Sequence, residues 1–443
     1  MLRYNSYGLS LLLKLIIKNI SWLFSEKLLS MLVALVTMWV LARQLGPSDF
    51  GTLSYLLAII AMLGPIVALG LNSIIVRELI NHPQSKHKII STIIGFRMAG
   101  AVFGALLCFF IAFFAEDFSS LDRKALAILG LAGIFNGLNG LEFWFQAKVA
   151  AGLVAKMRTS IVMLFSVLKI SAALSSDNLL LLITIFAVEQ LVLGLGFVLI
   201  YVWEAGAIKV KEFDWSYGLS LLKQSFWLVL SGIAAIIYLK IDQIMLGQMV
   251  GREAVGIYSV AARLSEVWYF FATAVVVSVF PALLIARSKD TSLYYQRLQQ
   301  VSDLLFISAV LSAIGVSLFA PMLIPVVFGE AYSESASILI IHIWAGLFVF
   351  MRALVSKWLI AEHLLKFSLV SHGTGAVINV AANYLLIPSF GGIGAAYATV
   401  LSYAIASYVT FWLHPSKIPI AKVMTHSLIL PLTFGRRYWS LLR

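Results

Sequence analysis

An all-α polytopic membrane protein, with about twelve crossings in two six-helix lobes, is the fold class predicted by three observations. Of 443 residues, 61% are hydrophobic and only 12% charged, where soluble domains run at roughly 45–50% and about 25%. The apolar residues fall in runs close to the roughly 20 that a helix needs to cross hydrocarbon. The chain also repeats itself. LGPSDFGTLS (45–54) is echoed by VGREAVGIYS (250–259), and WFQAKVAAG (144–152) by WLIAEHLLK (358–366).

Crossings are expected near 22–42, 51–72, 92–115, 125–147, 154–174, 179–203, 224–248, 254–279, 303–327, 336–356, 367–387 and 393–413. The first follows Lys14 and Lys18 and ends in no small-residue cleavage site, so it is expected to be retained rather than removed as a signal. Gly46 closes the first crossing and Gly251 the seventh, and acidic Asp49 or Glu253 follows where a helix dipole favours it. Repeats six helices apart keep one orientation, related by a pseudo-twofold axis along the membrane normal, which is one plan of transporters. The longest soluble connections are expected at 204–223 and 280–302. The lobes are therefore placed at 1–203 and 224–413, with 204–223 as a cytoplasmic linker. Residues 414–443 carry five basic residues around a short, Pro-broken apolar run. They are expected to be a cytoplasmic tail lying on the anionic leaflet.

Charge gives the orientation. Connections on one side hold Arg43, Arg123, Lys124 and Arg252, whereas the other side and both tails hold most of the 32 Lys and Arg. Both termini are thus expected in the cytoplasm. The net charge of +12 then reflects topology, not a nucleic-acid surface. Seven His without HxxxH or HExxH spacing argue against a metal site, the single Cys108 permits no internal disulfide, and no GxxxxGK[ST] loop for ATP is present. The short connections leave no room for the large soluble loop of a membrane glycan polymerase or ligase.

Charges inside the crossings carry the chemistry, because each costs on the order of 3 kcal/mol at membrane depth. Asp242 shares a helical face with Tyr238, Ala235, Ser231 and Gln224, and the first crossing shows its own stripe of Glu26, Ser30, Thr37 and Gln44. Lys240 lies about 160° around from Asp242 and is expected at an interface or against a neighbouring helix. Arg263 follows Ser259 and precedes Glu266, Phe270 and Thr273 on one face. It is expected to pair with Glu266 or Asp242, or else to receive an anion through its bidentate fork. Arg97, between Gly95 and Gly100, is a candidate for a polar lumen. Glu189 lies too deep to reach water and is a candidate proton carrier, while Glu142, Lys169 and Lys27 are close enough to helix ends to snorkel.

NVAANYLLIPSFGGIGAAYATVLSYAIA (379–406), ARQLGPSDFG (42–51), IDQIMLG with VGIYSVAARL, GLNSIIVREL (70–79) and FGEAYSESASIL (328–339) together resemble polysaccharide flippases of the O-antigen (Wzx) type, in order along nearly the whole chain. That family shares a superfamily with multidrug (MATE) exporters and lipid II flippases. The resemblance implies two lobes framing a V-shaped cavity that opens alternately to each side of a bacterial inner membrane. It implies an undecaprenyl-pyrophosphate-linked oligosaccharide as cargo. With no cofactor and no ATP loop, the expected driving force is a gradient of H+ or Na+ as coupling ion, or downstream consumption of the flipped product. Arg263, Arg97 and Lys240 would bind pyrophosphate, and Trp268, Tyr269 and Phe270 would stack on sugars. Asp242, Glu266, Glu189 and Glu26 would serve the coupling ion. Membrane lipids, and a polymerase and chain-length regulator of the same pathway, are the implied partners. A small-molecule exporter on the same fold is the alternative.

Overall fold

The computed structural model describes residues 6–362 and 364–433, with side chains from residue 21 onward except at 23, 73 and 365. Helices α1 (Ser6–Ala68), α2 (Asn72–Asn81), α3 (Lys86–Phe114), α4 (Ser120–Gly133), α5 (Glu142–Ala147), α6 (Ala151–Ser175) and α7 (Leu179–Ala205) come first. They are followed by α8 (Trp215–Met249), α9 (Arg252–Glu266), α10 (Tyr269–Lys289), α11 (Thr291–Phe328), α12 (Glu334–His342), α13 (Ala345–Ala361), α14 (Leu365–Ala404), α15 (Thr410–Trp412) and α16 (Ile418–Leu428). Among the described residues no strand occurs, and ten stretches are long and apolar enough to cross a bilayer. The chain is a multi-pass membrane protein.

Two of those stretches, Phe24–Ala68 and Lys366–Trp412, have 45 and 47 residues. At about 1.5 Å per residue each is roughly twice the ~30 Å of hydrocarbon. Both break at a glycine, Gly46 (φ 71°) and Gly391 (φ 54°). Only glycine enters that left-handed region without strain, and Pro47 then restarts the helix where a missing N–H costs nothing. Gly251 (φ 127°) separates α8 from α9 in the same way, as its echo with Gly46 predicts.

Other boundaries differ from expectation. The connection expected at 280–302 is helical on both sides of Asp290, whose carboxylate caps α11 by accepting from the Ser292 and Leu293 amides at 2.9 and 3.3 Å. The fourth crossing is broken by a 3-10 turn, Ile134–Leu141, rich in glycine and asparagine.

The described chain forms two compact units, Met1–Ile233 and Ala234–Arg443. In the first, α6 packs on α1 and α7, α4 on α3 and α7, over a core that includes Ile75, Ile90, Phe145, Phe197 and Tyr201. In the second, α11 and α13 pack with α10 and α16 over Val276, Leu305, Phe350, Trp358 and Phe411. The expected linker at 204–223 is instead clasped to the first unit, and the units part later, inside α8. Asp214 forms a 2.6 Å ion pair with Lys88, its amide donates to Thr92 Oγ1 at 3.0 Å, and Phe96 stacks on Phe213 and Trp215. Hydrogen bonds from Lys88, the Tyr217 amide and Ser216 hold the Asp214 carboxyl well below the usual carboxylate range. The tail is corrected in part as well: α16 buries Ile420, Ala421, Val423, Met424 and Ser427, docking on α11. Residues 434–443 of that expected tail lie outside the described residues.

Candidate functional site

The second unit brings α8, α9 and α14 together around one carboxylate. Asp242 is only 3% exposed. Its Oδ2 accepts from Tyr258 Oη at 2.8 Å and lies 2.6 Å from Thr399 Oγ1, and its Oδ1 accepts from Asn383 Nδ2 at 2.6 Å. Thr399 Oγ1 is also 2.9 Å from the Ala395 carbonyl, so its single proton serves one of two oxygens. Asn379 Oδ1 accepts from Asn383 Nδ2 at 3.1 Å, and Asn379 Nδ2 donates to Ser402 Oγ at 3.2 Å. Asn383 Oδ1 is buried with no hydrogen-bond partner. The result is a buried cluster of polar groups around a carboxylate whose hydrogen-bond partners are all neutral. Burying such a charge without a cation is costly, so the cluster is chemically suited to a small mobile cation or a proton.

About two turns further along α9 from Tyr258, Glu266 pairs with Lys240, whose Nζ is 3.3 and 3.5 Å from the two carboxylate oxygens. Lys240 thus faces a neighbouring helix rather than an interface. Both expected partners of Arg263 are therefore engaged elsewhere, and neither forms a hydrogen bond or ion pair with it. Among the described residues no carboxylate is hydrogen-bonded to the guanidinium, and Glu266 acts on it only through space, so the fork has donors to offer an anionic group.

Three expectations are corrected in the first unit. Glu189 is no free proton carrier, because it forms an ion pair with Lys169, which is 6% exposed and lies 3.9 Å from the Phe186 ring centroid. Lys169 and Glu142 do not snorkel; Glu142 pairs with Arg158, which also lies 3.9 Å from Glu26. Arg97 is 5% exposed and donates to Asn72 Oδ1 at 2.7 Å, with its stem against Gly140 and its guanidinium over Phe143. A Cβ at Gly140 would lie 2.8 Å from Arg97 Cδ, so this glycine makes the room that the arginine occupies.

The aromatic trio does not form one wall. Trp268 lines an apolar cavity of about 210 Å³ with Leu264, Phe319, Leu323, Phe328 and Leu339, a surface suited to hydrocarbon rather than sugar hydroxyls. Tyr269 packs into the cluster of Ala234, Tyr238 and Tyr403, and Phe270 is half-buried in the first turn of α10.

Sequence reading missed Tyr258, Thr399 and the asparagines, although Asn379 and Asn383 stand one helical turn apart in an apolar run, which is itself a signal. It also missed Arg352, 8% exposed on α13, which donates to Ser368 Oγ at 3.2 Å, Ser371 Oγ at 2.5 Å and His372 Nε2 at 2.8 Å.

Comparison with known proteins gives a consistent picture. A family model described as "Polysaccharide biosynthesis protein" matches residues 16–289. The capsular polysaccharide biosynthesis protein CapF of Staphylococcus aureus is 22% identical over 89% of this chain and 99% of its own length. A putative O-antigen transporter of Shigella flexneri is 22% identical over 90% of this chain and 97% of its own. Among solved structures, lipid II flippase MurJ in an inward closed conformation superposes with a TM-score of 0.69 at 16% identity, covering 93% of this chain and 92% of that one. An inward-facing multidrug resistance MATE family transporter of the MOP superfamily gives 0.67 at 14%, covering 89% and 96%. These two show a shared fold.

Proposed function

The chain belongs to the polysaccharide biosynthesis protein family, and from that premise we propose that it is a flippase for a lipid-linked oligosaccharide. The cargo is an undecaprenyl-pyrophosphate-linked repeat unit, moved from the cytoplasmic to the periplasmic leaflet of a bacterial inner membrane by alternating access. Twelve crossings with both termini in the cytoplasm accommodate the ten apolar stretches, the two double-length ones crossing twice.

A sugar-pyrophosphate head cannot enter hydrocarbon without losing the water on every hydroxyl and on its charge. Arg263, freed because Lys240 holds Glu266 and neutral donors hold Asp242, supplies the replacement contact for pyrophosphate. Lys240 pairs with Glu266, three residues along α9 from Arg263, and can exchange that carboxylate for the incoming phosphate. Asp242 takes the coupling ion, H+ or Na+, and the ion drives transport only by binding the two access states unequally. The unclaimed Arg263 is the observation that carries this reading.

The test is flipping of a fluorescent undecaprenyl-pyrophosphate oligosaccharide in proteoliposomes under imposed pH or sodium gradients. Arg263→Ala is expected to slow flipping about a hundredfold, the loss of one charge-assisted bidentate contact, with the melting temperature retained. Native protein that flips nothing under either gradient, yet expels small cationic drugs, would refute the reading.

A further inference from the structure

Between α1 and the start of α6 lies a cavity of about 230 Å³ lined by Trp22, Ser25, Glu26, Lys156, Thr159 and Ser160. Glu26 is 8% exposed. Its Oε1 accepts from Ser30 Oγ at 3.4 Å and is 3.9 Å from Arg158, whose nearer partner is Glu142. Lys156 is exposed, with Nζ 5.3 Å from the Trp22 ring centroid. A carboxylate and an ammonium thus line one small space without forming an ion pair with each other. Opposite charges held apart across a cavity are the complement of a zwitterion: one end of the ligand meets each.

We propose that this cavity binds the phosphoethanolamine headgroup of a zwitterionic membrane lipid. Its ammonium sits on Glu26, and its phosphate meets Lys156 and the hydroxyls of Ser25, Thr159 and Ser160. At about 230 Å³ the space is on the scale of a lipid headgroup. Ser25, Leu29, Lys156 and Ser160 are exposed, so the cavity is open from outside the unit. It lies at the beginnings of two apolar stretches, where Trp and Lys belong to the interface and headgroups lie. A primary ammonium fits better than a quaternary one. A carboxylate rewards N–H donors, whereas a quaternary group needs a bare aromatic face, and Lys156 already lies over the Trp22 ring.

The experiment is native mass spectrometry of the full chain released from bilayers holding equal amounts of phosphatidylethanolamine, phosphatidylglycerol and phosphatidylcholine. Native protein is expected to retain phosphatidylethanolamine over either other lipid by roughly tenfold or more, the scale of one hydrogen bond to a charged group. Glu26→Gln and Lys156→Met are each expected to bring that ratio near one, with unchanged melting temperature showing that both fold. Equal retention of the three lipids by native protein overturns the proposal. So does a preference that survives both substitutions, or phosphatidylcholine held as well as phosphatidylethanolamine. Displacement of the lipid by a soluble sugar, but not by soluble phosphoethanolamine, overturns it in favour of a carbohydrate site.

Discussion

Glu189 in the first unit and Asp242 in the second are both carboxylates within apolar helices, and they have opposite surroundings. Glu189 holds a buried lysine of its own, reinforced by the Phe186 ring. Asp242 is enclosed by a phenol, a hydroxyl and a carboxamide, with a carbonyl and an orphaned amide oxygen nearby. A carboxylate with a permanent cation is electrically complete and serves packing. One ringed by neutral groups still lacks a counter-charge, so it can bind and release one. In the proposed mechanism it is the partner, not the depth, that marks Asp242 rather than Glu189 for the coupling ion.

The contrast can be broken most severely at Asp242. Asp242→Asn is expected to abolish gradient-driven flipping, a loss of a hundredfold or more if the ion contributes on the order of 3 kcal/mol, while Glu189→Gln with Lys169→Met keeps it. Transport by the first at native rates, or its loss in the second, would erase the distinction. Stability gives the next largest effect. Glu189→Gln alone is expected to destabilise the fold by about 3–5 kcal/mol, because it strands a buried ammonium, and adding Lys169→Met should restore most of it in a denaturation cycle. Neutral ring members should matter less: Thr399→Val, which removes one oxygen, is expected to raise the ion concentration for half-maximal rate by about tenfold. Smallest is the clasp outside the membrane. Because the Asp214 carboxyl is depressed in the folded chain, its contribution is present above the unfolded carboxylate pKa of about 4 and lost as pH falls below it. Melting curves of native and Asp214→Asn protein should therefore differ at pH 7, and the difference should begin to shrink below about pH 4 and vanish only as pH falls through the depressed folded value.

Much of the fold could be read along the chain, because hydrocarbon demands long apolar runs. Most expected crossings lie largely within helices, while those at 125–147, 254–279 and 336–356 are broken between α4 and α5, α9 and α10, and α12 and α13. The glycine at the end of the first crossing and its echo at 251 were also legible, since a left-handed backbone leaves few other choices. Where helices continue past the lipid-facing stretch was not, as Asp290 extends helix on both sides of a polar connection that hydropathy reads as a loop. The site was half legible. A charge inside an apolar run announces itself, so Asp242, Lys240, Arg263 and Glu266 stood out. Their pairing did not, because periodicity tells which face a residue takes on its own helix and nothing of what the next helix presents there. Lys169 and Glu189 are 20 residues apart on different helices, and Thr399 reaches Asp242 across 157 positions.

The close fit of Arg97 against Gly140 carries a consequence for the history of such chains. A side chain cannot be added at 140 while the guanidinium remains where Asn72 holds it. The two positions should therefore drift together. Relatives with alanine or serine in place of Gly140 are expected to have a shorter residue in place of Arg97, and to have freed the position of Asn72 to change in turn.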